Sequence, residues 1–437
     1  MAEAIGRPRD EERKKRLRIA FCHPDLGIGG AERLVVDAAL ELSRQGHDVH
    51  LFTAHHDPNR CFEETVDGSF PVTVYGDFLP RHVFHHLHAL CAYIRCMYVA
   101  LCMVLFWPRF DIIFVDQVSA VIPVLKLKTS SKILFYCHFP DLLLAQHTTH
   151  LRKLYRAPLN WIEETTTGMA DCVLVNSEFT ALTFGTTFKQ LHAHGLNPTV
   201  LYPAVDIYQF HSHSQQISPN IEVMSTIGLP SNGCIFLSIN RFERKKNIGL
   251  AISAFASLLR KQENVSKGMS IPGQDVRLVI AGGYDQRLTE NWEYLQELKS
   301  LALQQGVGDQ VVFVPSCSTL QRNTLLAACL CVIYTPMNEH FGIVPLEAMA
   351  AEKPVVACNS GGPKESVKHA ATGFLCEPTP ESFASAMMLL LHDPQKAERM
   401  GKFARQHVEE NFSRKVFGAQ LNTIIYDLLK PAANFAT

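Results

Sequence analysis

Short apolar runs alternate with helix-length segments twice along this chain, and this alternation limits the fold more than any other feature. Consecutive apolar residues are typical of strands that a parallel sheet buries on both faces. Parallel strands need crossover connections, usually helices, so the pattern predicts doubly wound α/β sheets. The strands predicted in the first half are Leu17–Cys22, Val49–Thr53, Val72–Tyr75, Ile112–Val115, Lys132–Cys137, Cys172–Val175 and Val200–Tyr202. Those predicted in the second half are Cys234–Ile239, Arg277–Ala281, Val311–Val314, Cys331–Tyr334 and Pro354–Ala357.

A polar stretch separates the two series of strands. It contains HSHSQQISPN and GLPSNG, and such Ser, Pro and Gly content is typical of a linker. A chain of 437 residues also exceeds one ordinary core. We predict two Rossmann-like domains that face each other across a cleft, with ligands at the carboxyl ends of the strands. The predicted divisions are an N-terminal domain over 1–205, a linker over 206–232, a C-terminal domain over 233–414 and a C-terminal helix over 415–437, whose return to the first domain the sequence leaves open.

Charge and cysteine content exclude several classes of protein. The net charge of −1 gives no ground for a nucleic-acid partner. The thirteen cysteines are scattered, without CxxC pairs or Cys/His metal spacing, so neither a disulfide scaffold nor a zinc site is predicted. Reduced thiols are typical of the cytosolic side of the cell. The charged start leads directly into the first predicted strand, so we expect no signal peptide.

One apolar segment departs from this soluble pattern. Residues 89–107 contain a single charge, Arg95, and are just long enough to span a bilayer. A full span would place Leu17–Cys22 and Lys132–Cys137 on opposite sides of the membrane, which one sheet does not allow. We therefore predict a membrane-associating helix that lies in or dips into one leaflet, with Arg95 snorkelling to the surface. The alternative is a buried core helix of the first domain.

Two glutamates eight positions apart, Glu339 and Glu347, give the first indication of chemistry. A carboxylate accepts two hydrogen bonds side by side, which suits the vicinal hydroxyls of a sugar or a ribose. After Glu339, we expect a helix that has Pro345 at its first position and Glu347 in its first turn. Backbone N–H groups at a helix start suit a phosphate; those predicted to contact it belong to Phe341, Gly342, Ile343 and Val344. The alternative is a capped helix with two solvated acids.

Cations and a histidine follow other predicted strands. Arg241 comes just after Cys234–Ile239, and Lys246 follows five residues later, so both are able to neutralise one diphosphate. A solvated charged loop is the alternative. His138 follows Lys132–Cys137, where a neutral imidazole is able to donate to a sugar hydroxyl. A histidine satisfied by the local backbone is the alternative.

A glycine pair follows the first predicted strand. Gly29 and Gly30 precede a helix, so the backbone there is able to approach an anionic ligand closely. The spacing is not the GxGxxG dinucleotide fingerprint. An ordinary strand-to-helix turn is the alternative.

The chain resembles the retaining GT-B glycosyltransferases in four features, which occur in the order of that family. They are the GGAE loop, Arg241 with Lys246, the paired glutamates with Phe341-Gly342, and the GGPKE loop. The chain resembles more closely the dolichol-pathway mannosyltransferases that add the second and third mannoses. The segments that carry this resemblance are HPDLGIGGAERLVVDAAL, ILFYCHFPDLLL, LYRAPLNWIEE, INRFERKKN and YTPMNEHFGIVPLEAMA. The resemblance covers nearly the whole chain.

The resemblance implies a function and a location. It implies transfer of mannose from GDP-mannose to a dolichol-diphosphate-linked Man-GlcNAc2 acceptor, first through an α-1,3 and then through an α-1,6 linkage, with retention of configuration. The reaction would take place at the cytosolic face of the endoplasmic reticulum membrane, during lipid-linked oligosaccharide assembly for protein N-glycosylation. A complex with neighbouring enzymes of that pathway is possible, and no nucleic acid is involved. The alternatives are a GT-B transferase for another nucleotide sugar or acceptor, and a non-catalytic partner with a nucleotide-sugar fold.

The resemblance also implies roles for individual residues. Arg241, Lys246 and the amides of Gly342, Ile343 and Val344 would bind the GDP phosphates. Glu347 would hold the ribose, Glu339 would contact the mannose near the reacting carbon, and His138 would donate to the donor sugar. We count Glu339, His138, Lys246 and Arg241 as catalytic. No metal or other cofactor is expected, since the cations neutralise the leaving group and no DxD motif is present.

Overall fold

The computed structural model of the chain describes residues 15–82, 87–128, 130–144, 150–210, 220–230, 233–266 and 275–430. Parts of the predicted linker and the end of the predicted C-terminal segment lie outside these residues. The chain divides into two compact units. The first comprises residues 1–137, 141–174 and 421–437, and the second comprises residues 138–140 and 175–420. The predicted domain boundaries stay predictions.

The first sheet has seven strands in the order β3-β2-β1-β4-β5-β6-β7. Its strands are β1 Arg18–His23, β2 Asp48–Thr53, β3 Val72–Val74, β4 Ile112–Asp116, β5 Lys132–Cys137, β6 Cys172–Val175 and β7 Thr199–Val200. Strands β1 and β4 pair in parallel, with Ile19 opposite Ile112, and both are almost wholly buried. The order of strands reverses between β1 and β4, so this position is the switch point of the sheet.

The second sheet has six strands in the order β10-β9-β8-β11-β12-β13. They are β8 Cys234–Ile239, β9 Val276–Gly282, β10 Val311–Pro315, β11 Cys331–Tyr334, β12 Val355–Cys358 and β13 Gly373–Cys376. Neighbouring strands pair in parallel, and the switch point lies between β8 and β11, where Cys331 is opposite Phe236. Each predicted strand is present. Strand β13 was not predicted, because GFLC is short and lacks β-branched residues.

Helices connect the strands, as the alternation predicts. In the first part of the chain they are Gly30–Arg44, His88–Phe106, Ile122–Leu125, Asp141–Leu144, His150–Thr167, Glu178–Thr187 and Lys189–Ala193. In the second part they are Ile221–Thr226, Ile248–Ser266, Thr289–Gln304, Thr319–Ala328, Ile343–Ala350, Pro363–Ser366, Pro380–His392, Pro394–Asn411 and Arg414–Leu429. The two apolar clusters of the second unit contain alternate residues of β8: Phe236 lies in one, and Ile235 and Leu237 lie in the other. Residues of the predicted linker join the second cluster; they are Ile207, Phe210, Met224 and Leu229.

The apolar segment forms the helix His88–Phe106, which by length and composition alone is able to cross a membrane. One of its faces is buried, whereas Ile94, Leu101 and Leu105 are exposed. The prediction for Arg95 was wrong. Its side chain is buried, and Nη2 donates to the carbonyl oxygen of Ala54 over 2.9 Å. Arg95 lies on the buried face of the helix, and its hydrogen bond joins the helix to the loop after β2.

Candidate active site

The predicted donor-site residues follow the two strands at the switch point of the second sheet. Arg241 and Lys246 lie in the loop after β8, and Glu339 and Glu347 lie in the loop and helix after β11. Because β8 and β11 are neighbours and parallel, their carboxyl ends lie side by side. This position of the sheet is where doubly wound folds bind ligands.

Lys246 and Glu339 form an ion pair in the second unit. Nζ of Lys246 lies 2.5 Å from Oε2 of Glu339, and the two side chains are 12% and 22% exposed. The hydroxyl of Thr335, just after β11, donates to the carbonyl oxygen of Lys246 over 2.9 Å and joins the two loops. The pair is sheltered from water but remains partly open, so both groups are able to exchange partners when a ligand binds.

Arg241 is more exposed and has a different partner. Its guanidinium lies 2.8 Å from the carboxylate of Glu243, and its side chain is 61% exposed. Glu243 also lies 3.1 Å from Lys245, so it anchors two cations of this loop. Sequence reasoning gave Glu243 no role. The structure thus brings Lys246 and Glu339 into contact and leaves Arg241 exposed at the edge of the same loop.

The helix after β11 begins at Ile343, with Gly342 as its N-terminal cap. The cap has φ 86°, and a Cβ atom at Gly342 would lie 2.9 Å from the hydroxyl of Tyr334, so only glycine fits. The first amides of a helix have no partner within it. Those of Gly342, Ile343 and Val344 are therefore suited to phosphate oxygens, and their role in binding stays a prediction. Phe341 is itself buried in the core and anchors the turn.

Two details of this helix were predicted wrongly. Pro345 is its third residue and not its first, and Glu347 lies in its second turn. The third position also lacks an acceptor inside the helix, so the missing N–H of proline costs nothing there. Glu347 is therefore too far from the helix N-terminus for the helix dipole to stabilise its charge, and another side chain stabilises it.

That side chain is Arg322, which sequence reasoning missed. Nη1 of Arg322 lies 3.0 Å from Oε1 of Glu347, and the Glu347 side chain is 16% exposed. Burial raises the pKa of Glu347, and the charge of Arg322 opposes this rise. Arg322 lies on the helix Thr319–Ala328 that follows β10, so the rule that located Arg241 also indicates it. Ser318 and Gln321 form a capping box that begins this helix close to the strand end.

Tyr334 is a second missed residue, and it ends β11. Burial raises the pKa of its hydroxyl. The carboxylate of Glu339, which is hydrogen-bonded to this hydroxyl, and the carboxylate of Glu347 raise the pKa further. A protonated Tyr334 hydroxyl is therefore able to donate to Glu339. The same hydroxyl lies against Gly342, so it connects the glutamate with the start of the helix.

The loop after β5 brings His138 into the second unit. The side-chain amide of Asn176 donates to the His138 carbonyl oxygen over 2.9 Å. The next residue, Phe139, stacks on the ring of His340 with centroids 3.6 Å apart and planes 7° apart. His340 in turn follows Glu339 directly. The stack therefore brings the loops that carry His138 and Glu339 next to each other.

The diglycine loop after β12 supports the glutamate loop from behind. A Cβ atom at Gly361, where φ is 61°, would lie 2.4 Å from the Glu339 carbonyl oxygen. The amide of Gly362 donates to that same oxygen over 2.8 Å. Glu365 accepts from the amides of Glu178 and Phe179 at the start of a helix. The GGPKE motif is thus a structural support in the second unit.

Gly29 and Gly30 belong to the first unit. Gly29 caps the helix Gly30–Arg44, and the space where a Cβ atom of Gly30 would lie is open. The carboxylate of Glu32 curls back over Gly29, against the helix N-terminus. An acidic side chain of the same unit thus lies beside the helix start where an anionic ligand was predicted, and the role of Gly29 and Gly30 stays a prediction.

Among the described residues, no group of three or more His, Cys, Asp or Glu side chains is placed to hold a metal ion. The expectation that binding needs no metal stays a prediction.

Two glycosyltransferase family patterns match this chain. The pattern of the family described as Glycosyltransferase Family 4 covers residues 28–209, and that of Glycosyl transferases group 1 covers residues 221–407. The chain is 48% identical over 437 residues to the alpha-1,3/1,6-mannosyltransferase ALG2 of Homo sapiens, covering 98% of this chain and all of that protein. The chain belongs to the ALG2 family of alpha-1,3/1,6-mannosyltransferases. The ALG2 protein of Saccharomyces cerevisiae is 40% identical, covering 92% of this chain and 85% of that protein.

Solved structures support the fold of this ALG2-family chain. The sucrose-phosphate synthase of Thermosynechococcus elongatus matches with a TM-score of 0.72 at 21% identity, covering 94% of this chain and 99% of that one. A glycosyltransferase from Rickettsia africae matches with a TM-score of 0.71 at 17% identity, covering 95% of this chain and all of that one. The predicted family and the predicted pair of Rossmann-like sheets of the GT-B class are confirmed. The chain is a mannosyltransferase, and the roles of its individual site residues stay predictions.

Proposed function

We propose that this ALG2-family mannosyltransferase moves mannose from GDP-mannose to dolichol-diphosphate-linked Man-GlcNAc2, making an α-1,3 and then an α-1,6 linkage with retention. The observation that carries the donor class is the pair Lys246–Glu339, connected through Tyr334 to the first amides of the helix Ile343–Ala350. A sugar diphosphate needs a cation and amide donors for its phosphates and a carboxylate for its hydroxyls. The names of the relatives support the sugar and the two linkages.

The proposed roles divide the site between affinity and chemistry. Glu347, held by Arg322, binds the ribose hydroxyls and contributes affinity. The amides of Gly342, Ile343 and Val344 bind the diphosphate together with Arg241 and Lys246. Glu339 and His138 address the mannose. Gly29 and Gly30 leave room for an oxygen-rich ligand at the start of their own helix.

The reaction breaks the bond between the mannose anomeric carbon and the diphosphate oxygen. A new bond forms between that carbon and an acceptor hydroxyl on the same face of the sugar. The proton of the acceptor hydroxyl passes to the departing phosphate oxygen, and GDP leaves. Lys246 stabilises the charge that develops on the leaving group. The contacts of Glu339 with Lys246 and with the hydroxyl of Tyr334 fix the direction of its carboxylate, and we propose that Glu339 orients the sugar.

The proposed acceptor is a lipid, and the exposed face of His88–Phe106 fits it. Ile94 and Leu101 are seven residues apart, and Leu105 follows four residues later, so the three lie on one face of the helix. A surface of this kind is suited to the headgroup boundary of one leaflet. We propose that it holds the enzyme on the cytosolic face of the endoplasmic reticulum membrane, where complexes with neighbouring enzymes of the pathway would form.

The test uses the full chain in detergent micelles or vesicles with GDP-mannose and the defined lipid-linked acceptor. We expect mass shifts of one and then two hexoses, and linkage analysis should find α-1,3 and α-1,6 bonds. UDP-glucose and a water-soluble acceptor are the matched controls. Transfer only from the control donor or only to the soluble acceptor would indicate another GT-B transferase. No transfer and no GDP binding by calorimetry would indicate a non-catalytic partner.

Orientation and nucleophilic attack by Glu339 predict different results for Glu339→Gln. An amide still hydrogen-bonds to mannose, so an orienting residue should leave measurable turnover. A nucleophile has no substitute in an amide, and turnover should then vanish. Single-turnover mannose transfer distinguishes the two.

A further inference from the structure

We infer that His340 is a positioning residue for mannosyl transfer. Through the stack of its ring on Phe139 and the hydrogen bond of its carbonyl oxygen with Ser177, His340 keeps Glu339 and His138 at a fixed separation. The inference deepens the proposed function and rests on it. It assigns a role to two aromatic side chains that sequence reasoning left without one.

His340 is held from two directions. Its ring lies flat on Phe139, with centroids 3.6 Å apart and an angle of 7° between the planes. Its carbonyl oxygen accepts from the hydroxyl of Ser177 over 2.5 Å. That hydroxyl also accepts from the amide of Thr180 over 3.0 Å, as the N-terminal cap of the helix Glu178–Thr187. The hydroxyl is thereby oriented by a rigid element, so the backbone of His340 is tied to that helix.

The residues next to this stack are those proposed to address mannose. Glu339 precedes His340, and His138 precedes Phe139, so each lies one residue from the contact. On its other side Glu339 is held by Lys246. A shift of the stack would therefore move Glu339 and His138 relative to each other while Lys246 stays in place. Displacements of about 1 Å in such a constellation can cost about 10²-fold in rate.

The ring of His340 is neutral under ordinary conditions. Burial lowers its pKa to about 4; Glu339 opposes the shift, whereas Lys246, Lys245 and His138 add to it. A neutral ring packs face to face on Phe139 without a charge to desolvate. Near neutral pH the ring of His340 is therefore not an imidazolium and is not a general acid, so the role that we infer for it is to hold geometry.

The test is a double-mutant cycle in the full chain with Phe139→Ala and His340→Ala, together with the conservative His340→Phe. We expect each alanine variant to lower kcat about tenfold, with the GDP affinity measured by calorimetry unchanged within about twofold. The double variant should lose no more than the worse single variant, because both changes break one contact. His340→Phe keeps the stack and should retain kcat within about threefold of the unchanged chain.

Several outcomes would overturn the inference. Losses that multiply in the double variant would mean that the two rings act separately. A kcat for His340→Phe as low as that for His340→Ala would mean that the imidazole itself acts on the substrate. An equal loss of GDP affinity would place His340 in nucleotide binding.

A second measurement does not depend on the donor or acceptor. In Phe139→Ala, nuclear magnetic resonance should find the pKa of His340 shifted upward towards 6.5, because burial of the ring decreases. An unchanged pKa would refute the stack even if the proposed donor were wrong. A failure of the unchanged chain to use GDP-mannose would refute the proposed function alone.

Discussion

The two sheets each place a pair of ionisable side chains at their switch point, and the two pairs differ in exposure. In the first sheet, His23 ends β1 and Asp116 ends β4; they lie 2.8 Å apart, and both are 1% exposed. In the second sheet, Lys246 and Glu339 follow β8 and β11 and are 12% and 22% exposed. The first pair is closed to any ligand, whereas the second is able to exchange partners. We therefore expect the first pair to contribute stability, whereas the second is the pair that we propose to act in mannose transfer.

The largest effect should come from opening the pair in the second sheet. Lys246→Met keeps the aliphatic volume but removes the charge, so the leaving group loses its cation and Glu339 loses its partner. We expect kcat for mannose transfer to fall by about 10²- to 10³-fold, with little change in thermal unfolding. The control is Lys245→Met, since Lys245 is 65% exposed and pairs with Glu243. Equal losses in both variants would refute the distinction between these lysines.

The pair in the first sheet should respond in the opposite way. Asp116→Ala leaves His23 buried without this carboxylate, and we expect the free energy of unfolding to fall by about 3–5 kcal/mol. Asp116→Asn retains a hydrogen-bond partner and should cost less. Urea denaturation measures both. The rate per folded molecule should stay unchanged, and a variant that loses its rate while keeping its stability would show that this pair contacts a ligand.

Arg322 offers a smaller test of the second sheet. Arg322→Ala removes the charge that opposes the raised pKa of Glu347, so that pKa should rise further and the carboxylate should take up a proton more readily. We expect GDP to bind about tenfold more weakly, and the loss should grow as the pH falls, because protonation removes an acceptor for the ribose. Calorimetry at several pH values measures this. The matched control is Arg244→Ala, whose guanidinium pairs on the surface with Glu293 and Glu297. A loss that does not depend on pH would contradict the role given to Glu347.

The comparison also explains how much the sequence predicted. Apolar runs predict buried parallel strands well, because burial on both faces leaves little choice of residue. The candidate residues after β8 and β11 were predictable for a second reason. In doubly wound sheets, ligands bind at the carboxyl ends of the strands beside a switch point. Arg322 and Ser177 were not found, because their partners Glu347 and His340 lie 25 and 163 residues further along the chain. Tyr334 was not found, because the sequence does not tell which way the hydroxyl of a tyrosine at a strand end points. Arg95 was assigned wrongly, because composition does not tell which face of an apolar helix is buried.

The smallest effect concerns the pH dependence of stability. The pKa of His340 is lowered from 6.5 to about 4 in the folded chain, chiefly by burial. The unfolded chain therefore binds more protons between these values, so the stability that neutral His340 contributes is present above pH 6.5 and is lost as the pH falls towards 4. In His340→Phe this loss should be absent. On acidification from about pH 7 to about pH 5, we expect the unchanged chain to lose about 1–2 kcal/mol more than the variant.

Urea denaturation of both chains at the two pH values measures that difference. His23 of the first sheet does not contribute to that difference. Burial alone would lower its pKa, but the hydrogen bond and charge of Asp116 outweigh burial and raise it, so its contribution is retained in acid. Because both chains keep His23, its contribution cancels in the comparison. Equal acid sensitivity of the two chains would mean that His340 is not buried against Phe139, and the second switch point would then lack the support that distinguishes it from the first.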